Sequence, residues 1–393
     1  MADLKFKIPP TKTLEQEKQK LLKEKDEIVF RFEQQWIKDL DEVGKYKKGI
    51  RIKNYVDGSK YEGEVINEKR NGKGIYHYSN GDKYVGEWKD DRFHGKGVYI
   101  FANGERYDGE LRESAKHGRG VYLYVNGNKY EGEWMNDKKN GKGSYTYFAT
   151  NEKYDGQWLD GEKHGTGMYI YTSGDKYYGE WRDGEKSGKG VFEYQNGSRF
   201  EGEFLEDKAN GFGVMQYSNE DRYEGEWAGG QKHGQGTYFY ADGAKYQGEW
   251  KNENQNGHGI FYYVNGDRYE GTFVDGERCG KGIYYYLSGD KYEGEYRNDV
   301  RNGQGVLMLT NGDVFMGEWA NGTKNGQGRY EYANGDQYEG FFQDGKRQGK
   351  GTYYWKNGQK YVGLWKNDRM EGEMEPIVAF KQSKFSNDYL IDV

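Results

Sequence analysis

Cysteine is almost absent. Cys279 is the one thiol in 393 residues, so no disulfide can form within the chain. That usage points to an intracellular setting. Proline is nearly as scarce: Pro9 and Pro10 break the N-terminal stretch, and Pro376 stops the regular pattern near the other end. No apolar run approaches the ~18 residues that a membrane-spanning helix needs. Met1-Ala2-Asp3 opens no signal peptide and lacks the glycine that myristoylation requires. A basic surplus is missing too: 59 Lys and Arg stand against 65 Asp and Glu, for a net charge of −6. That balance argues against a nucleic-acid partner, which calls for excess basic charge on one face. What the chain has instead is glycine and rings, with 62 Gly, 39 Tyr and 10 Trp.

These residues are periodic. The pattern Tyr-x-Gly-Glu-aromatic begins at Tyr61 and Tyr84 and returns through Tyr361, with Phe200 and Phe315 as the non-tyrosine anchors. Twelve of the thirteen intervals are 23 residues and one, Tyr130 to Tyr154, is 24. A period this long and this persistent marks a repeat architecture. Such a chain has one quasi-one-dimensional body in place of a central core.

Each unit reads as two strands. Tyr84, Gly86 and Trp88 share one parity, and Lys83, Val85 and Glu87 share the other, so rings and glycines face one side and charges the other. A polar connection, Lys89 to His94, leads to Gly95, Gly97, Tyr99 and Phe101, again of one parity. Asn103-Gly104 then closes the unit, and Asn-Gly between alternating runs is a strong hairpin signal. The expected fold is an all-β repeat: an elongated, single-layer, twisted antiparallel meander of about 14 hairpins, roughly 130 Å long at ~4.8 Å per strand. Glycine weakens a strand interior. Here a ring on one strand can lie across the bare backbone of its neighbour, which shields that backbone and buries the ring.

Tyr154 to Tyr169 and Tyr223 to Tyr238 fit the pattern Tyr-x-Gly-Glu-Trp-x-x-Gly-x-x-His-Gly-x-Gly-x-Tyr well. That pattern resembles the MORN repeat (membrane occupation and recognition nexus), and the resemblance covers residues 46 to about 374. It implies a twisted single-layer sheet that serves as a scaffold or dimerising rod. MORN-only chains include components of the ciliary axoneme, notably radial spoke heads. The resemblance therefore implies a non-enzymatic scaffold, cytoskeletal and axonemal, whose partners are other proteins of a large assembly, with a homo-oligomer as a further possibility. Junctophilin-like members suggest the alternative, a peripheral adaptor on anionic phospholipid. The acidic balance and the lack of a polybasic cluster disfavour that alternative. The lipid-kinase members of plants have a kinase domain that this chain lacks.

In chain order, residues 1–12 are read as extended. Thr13-Leu14-Glu15-Gln16 reads as a capping box that opens an amphipathic helix over 13–45. Leu21, Leu22, Ile28, Val29, Phe32, Trp36 and Leu40 form its apolar side. That side either caps the open edge of the first repeat or docks another protein. The repeat body spans 46–374, and 375–393 form a tail with Phe380, Phe385 and Tyr389. Phe148 to Glu152 and Asn219-Glu220 lack the turn glycine and are candidates for a bulge or a bend.

No catalytic, cofactor or metal site is expected. Gly-x-Gly recurs, but without the third glycine and the strand-to-helix context of a dinucleotide site. His94, His117, His164 and His233 occupy equivalent positions, and even a one-repeat separation is about 10 Å, too far for two of them to share one zinc. Glu87, Glu110 and Glu133 fall in a column, which reads as a solvated face, since catalysis needs a convergent set of unlike groups. Lys or Arg precedes the anchor in twelve of fourteen units, as at Lys60, Lys83 and Arg106. With the Glu column it is expected to make cross-strand pairs. Cys279 is read as a turn residue.

The candidate binding surface lies on the face opposite the rings. Phe239, Tyr262, Tyr285 and Met308 occupy one position in successive units, and Tyr354 holds it further on. Ile260, Ile283 and Val306 stand two residues earlier. A contiguous exposed apolar strip of this kind marks an interaction site.

Overall fold

The computed structural model describes residues 50–372. They form 29 strands, each antiparallel to the strands it pairs with, and no helix occurs among the described residues. The expected helix over 13–45, with Leu21, Leu22, Ile28, Val29, Phe32, Trp36 and Leu40, lies outside them, as does the tail from 375. The chain divides into two compact units, the first ending at Lys208 and the second beginning at Ala209. Within each, strands follow one another as a meander of hairpins.

The register explains the pattern. In the first unit, strand Lys83–Lys89 pairs with Lys69–His77 on one side and Arg92–Ile100 on the other. Tyr84 stands opposite Tyr76 and Tyr99, and Gly86 opposite Gly74 and Gly97. Three strands thus bring glycine to glycine across the sheet, and the ring of Tyr84 fills the bare strip. A Cβ on Gly97 would lie 2.4 Å from the Tyr84 hydroxyl. That hydroxyl donates to the carbonyl of Glu87 at 2.9 Å, and the ring is fully buried. Trp88 stacks edge-on at 5.2 Å and donates its indole N–H to the Gly74 carbonyl at 3.3 Å. The second unit repeats this: Tyr246 lies over Gly248 and Gly259, with Trp250 at 5.2 Å. A row of rings on glycine pairs is therefore the core, and each fully buried ring removes apolar surface worth roughly 2–3 kcal/mol from water.

The turns differ from expectation. The Asn-Gly sites are not the tight hairpins. Phe101 to Glu105 close with Gly104 N–H on the Phe101 carbonyl at 3.0 Å and Phe101 N–H on the Glu105 carbonyl at 2.9 Å. The two-residue turns lie on the opposite edge, within what reads in sequence as a polar connection. Asp90 and Asp91 have φ of 49° and 66°, the positive pair that a type I′ turn needs. The strand resumes at Arg92, so the connection is two residues long. Such hairpins then carry a bulge, the last one, Lys360–Lys366 with Arg369–Glu371, excepted. In the second unit the register shifts between Gly248 and Trp250, where Gly257 has a φ of 63°. A glycine there accommodates the left-handed bulge residue. At Asn219-Glu220, where a bulge or bend was expected, the ordinary turn persists: Glu220 adopts a φ of 74° and donates to the Tyr217 carbonyl at 3.1 Å.

Candidate interaction surfaces

The ring face is wider than the core row. The second strands add half-buried rings that run as a zigzag. Tyr240 to Phe261, Phe261 to Tyr263 and Tyr263 to Tyr284 have centroids 5.7, 4.6 and 5.5 Å apart in the second unit. The first unit has the same zigzag through the buried Tyr122 and the half-buried Tyr124, Tyr145 and Tyr147. Burial pushes the Tyr124 phenol up to about 12. Carboxylates lock the turn edge of the zigzag. Asp267 accepts the Tyr284 hydroxyl at 2.8 Å and the Leu287 N–H at 2.8 Å. Burial alone raises the pKa of Asp267, but the bonds from Leu287, Tyr284 and Asn265 together outweigh it and hold the carboxyl below its usual range.

Two charged columns have roles that the sequence did not reveal. The Glu column is structural: Glu249 accepts the His258 N–H at 3.1 Å, and Glu64 accepts the Lys73 N–H at 3.0 Å. These carboxylates satisfy bulge amides that the ladder leaves free. Seven of the cations before the anchors pair with the acid two residues on, as in Lys291 with Glu293 at 2.7 Å, and not with the Glu column. The second column was hidden in the polar connection. Lys139, Lys163 and Arg347 lie over Trp158, Trp181 and Trp365 at 4.2, 4.1 and 4.2 Å. They are half-buried cations on the ring face, and such stacking is worth about 0.5–2 kcal/mol. The signal that would have found them is the recurrence of Lys or Arg nine residues after the anchor.

On the opposite face the expected strip residues share a face but do not touch as one apolar band. Each comes from a second strand, and the first strand of the next unit intervenes with its cation. Phe239 pairs with Lys245, Lys245 with Tyr262, Tyr262 with Arg268, and Arg268 with Tyr285. Lys245 sits 4.3 Å from the Tyr262 ring centre and Arg268 4.2 Å from that of Tyr285. Met308 pairs with Lys291 and Val314, and Tyr354 with Gln337 and Lys360. Ile260 and Ile283 flank Glu270, and Val306 stands between Glu293 and Met316. Met308 is 39% exposed and Tyr354 37%, while the other six are half-buried. From Phe239 to Tyr285 the surface alternates rings or aliphatics with charges, whereas Val306 and Met308 continue into the apolar Met316 and Val314.

His94 and His233 stand at the bulge, where His233 Nδ1 accepts the Gly234 N–H at 2.8 Å. Cys279 is half-buried in strand Glu277–Tyr285, at that same bulge position and not in a turn. The charged face of the first unit also holds an open groove of about 570 Å³, lined by Asp108, Glu131 and Asp155 together with Arg119 and Lys142.

The MORN repeat model matches fourteen consecutive stretches, from 61–83 to 361–373. No curated protein matches the chain significantly. Among solved structures, the chain is similar to the TCP10 domain of Danio rerio CPAP in complex with a STIL peptide, at 13% identity and a TM-score of 0.28. That match covers 60% of this chain and 93% of the domain. The Drosophila melanogaster SAS-4 TCP domain, in complex with a proline-rich motif of Ana2, gives 16% identity and a TM-score of 0.19 over 57% of this chain and 90% of that one.

Proposed function

This chain belongs to the MORN repeat family, and from that premise we propose that it works as a non-catalytic protein-interaction scaffold in the ciliary axoneme, in the manner of a radial spoke head component. The observation that carries the scaffold reading is the alternation of Phe239, Tyr262 and Tyr285 with Lys245 and Arg268 on one face. A ring flanked by cations offers a partner both apolar contact and charge, at a pitch set by the repeat. Aromatic and Arg side chains are the types over-represented at interface hot spots. The axonemal placement rests on resemblance to MORN-only chains of the axoneme.

Two experiments test this. Tyr262→Ser with Tyr285→Ser is expected to abolish co-purification of partners from native cells while leaving the far-UV spectrum unchanged; undiminished recovery would remove this surface from the reading. Fractionation with detergent and then salt tests the placement. Retention in the axonemal pellet after detergent is the expected result, and release with the membrane fraction would overturn it.

A further inference from the structure

The cation row on the ring face has an internal rule. Each of its residues meets the second residue of the next tight turn, whose N–H bonds back to its carbonyl, as Asp137 does to Lys116 at 3.0 Å. Where the row carries a cation, that turn residue is usually a carboxylate. Asp91 serves Arg70 at 2.9 Å, Asp137 serves Lys116 at 3.4 Å, Glu253 serves Lys232 at 3.1 Å and Asp299 serves Arg278 at 3.0 Å. The carboxylate also accepts the backbone N–H of the same residue, as Asp137 does for Lys116 at 2.9 Å. Where the row is neutral the turn residue is neutral: Phe93 meets Ser114, Ala209 meets Gly230 and Gln255 meets Gly276.

Four positions break the rule. Lys139, Lys163, Arg301 and Lys324 meet Gly161, Gly184, Gly322 and Gly345. These cations keep their stacking, for Arg301 lies 5.1 Å over Trp319 and Lys324 4.4 Å over Tyr330. They have lost the acceptor that serves both the side chain and the backbone N–H in the other repeats. Among the described residues none of the four makes an ion pair. Burial pulls the pKa of all four below the usual value, as it does for Lys186 beside its Asp207, while more distant carboxylates such as Glu162 near Lys139 and Lys163 and Asp368 near Lys324 pull the other way. The space above Gly161, Gly322 and Gly345 is open, and Gly184 has only the end of the Glu162 side chain nearby.

The exceptions come as two adjacent pairs, Lys139 with Lys163 in the first unit and Arg301 with Lys324 in the second. Within a pair the cations are one repeat apart, two strand spacings, or about 10 Å. We propose that each pair is a docking site for an extended acidic segment of a partner protein, whose carboxylates take the places of the missing turn aspartates. A polyproline II segment advances about 9.3 Å in three residues and returns to the same edge, so carboxylates at every third position match the pitch. The flanking half-buried rings, such as Tyr145 beside Lys139 and Tyr330 beside Lys324, supply the apolar floor. This inference rests on the scaffold reading only in taking the partner to be a protein, and it uses the opposite face of the sheet.

The test uses the full chain and two labelled peptides. One is acetyl-(Glu-Pro-Pro)4-amide; the other has the same composition with its four glutamates adjacent. Anisotropy is expected to show binding of the spaced peptide about 10-fold tighter than the control, a difference of about 1.4 kcal/mol. Two sets of substitutions should each remove that preference. Lys139→Gln, Lys163→Gln, Arg301→Gln and Lys324→Gln delete the cations, and Gln255 shows that the row accepts glutamine. Gly161→Asp, Gly184→Asp, Gly322→Asp and Gly345→Asp leave the cations and restore the internal counterion at positive φ, which Asp91 and Asp137 adopt at the same turn position, and an unchanged urea midpoint separates loss of site from loss of fold. Equal binding of the two peptides, no binding of the spaced one, or wild-type binding by the aspartate variant would overturn the inference. So would stronger capture by vesicles of acidic phospholipid, blocked by the same variants, since the occupant would then be a lipid headgroup. Failure here leaves the fractionation test of the scaffold reading untouched.

Discussion

Replacing Gly259 with alanine isolates the packing on which the sheet depends. The backbone permits alanine there, because Gly259 is not among the residues with positive φ. The obstacle is the ring of Tyr246. A Cβ at Gly259 would sit 2.4 Å from its Oη and 2.6 Å from its Cε2. Ordinary carbon contacts are about 3.5–4.0 Å, so the overlap is roughly 1 Å. The ring has nowhere to retreat. It is fully buried, its hydroxyl donates to the Glu249 carbonyl at 2.9 Å, and Trp250 and Phe273 stand edge-on at 5.2 and 5.0 Å. Gly259→Ala should therefore cost about 3 kcal/mol, the upper end for overpacking. Tyr246→Ala should cost about 4 kcal/mol through the cavity it leaves. The two losses should not add. With the ring gone the new methyl has room, so the double variant should cost about 4 kcal/mol, a coupling of roughly 3 kcal/mol. Gly243→Ala is the control: its φ is +96° with no atom within 4 Å of the new Cβ, so it should cost about 1 kcal/mol of backbone strain, independent of Tyr246. Urea unfolding followed by tryptophan emission, with amide exchange across residues 254–262, measures each term. A coupling below about 0.5 kcal/mol would refute the account of glycine and ring as one packed unit.

The bulge carboxylates predict a difference between two small changes. Glu249→Ala should cost about 1 kcal/mol and speed exchange of the His258 amide, whereas Glu249→Gln should be nearly silent, because Gln157 already makes this bond to Thr166 N–H at 2.8 Å. Acid stability follows from the turn aspartates. The Asp313 carboxyl is held below its ordinary 3.8: burial raises it, but bonds from Ala333, Tyr330 and Asn311 outweigh that. Asp336 is lowered first by the Lys356 N–H and then by the Tyr353 hydroxyl. A depressed folded pKa stabilises the fold fully above the unfolded value and is lost as pH falls through the folded one. Asp313→Asn with Asp336→Asn should therefore flatten the loss of stability below about pH 4, read from urea midpoints at successive pH values. An unchanged slope would mean that these clamps do not contribute.

The strands and the ring face were legible because alternation is a property of single residues. Tyr84, Gly86 and Trp88 declare their common side without knowledge of any neighbour. Register was harder. The sequence shows Phe239, Tyr262 and Tyr285 at one position of successive units, but the antiparallel meander places Lys245 and Arg268 between them. Those cations looked like a separate column only because they precede the anchor on the other strand of each hairpin. The turns were misjudged for a similar reason. Asn103-Gly104 carries the conventional signal, yet the tight turn at Asp90-Asp91 has two acidic residues at positive φ, a conformation that aspartate tolerates but does not advertise. The Glu column read as solvated because its partner is a backbone N–H freed by a bulge, and a bulge leaves no mark in composition.

Near-identical repeats also supply a control that a single globular domain lacks. When Asp137 serves Lys116, and Gly161 stands in its place beside Lys139, the backbone bond between turn and strand is kept in both. The substitution therefore keeps the strand pairing but changes both the electrostatics and the turn backbone, whose φ is 67° at Asp137 and 100° at Gly161. A change forced by packing would have to alter the ring beneath, yet Trp134 and Trp158 hold the same position under the two lysines, at 5.2 and 4.2 Å. Stability would be served by an aspartate in every repeat, or by a neutral residue such as Gln255 wherever the aspartate is missing. A desolvated cation retained without its counterion lowers stability, although glycine at the positive φ of the turn offsets part of that loss, and an acidic partner would supply the contact that the two adjacent pairs lack. Departures from the repeat that leave the strand pairing intact thus separate what the sheet needs from what its partners need.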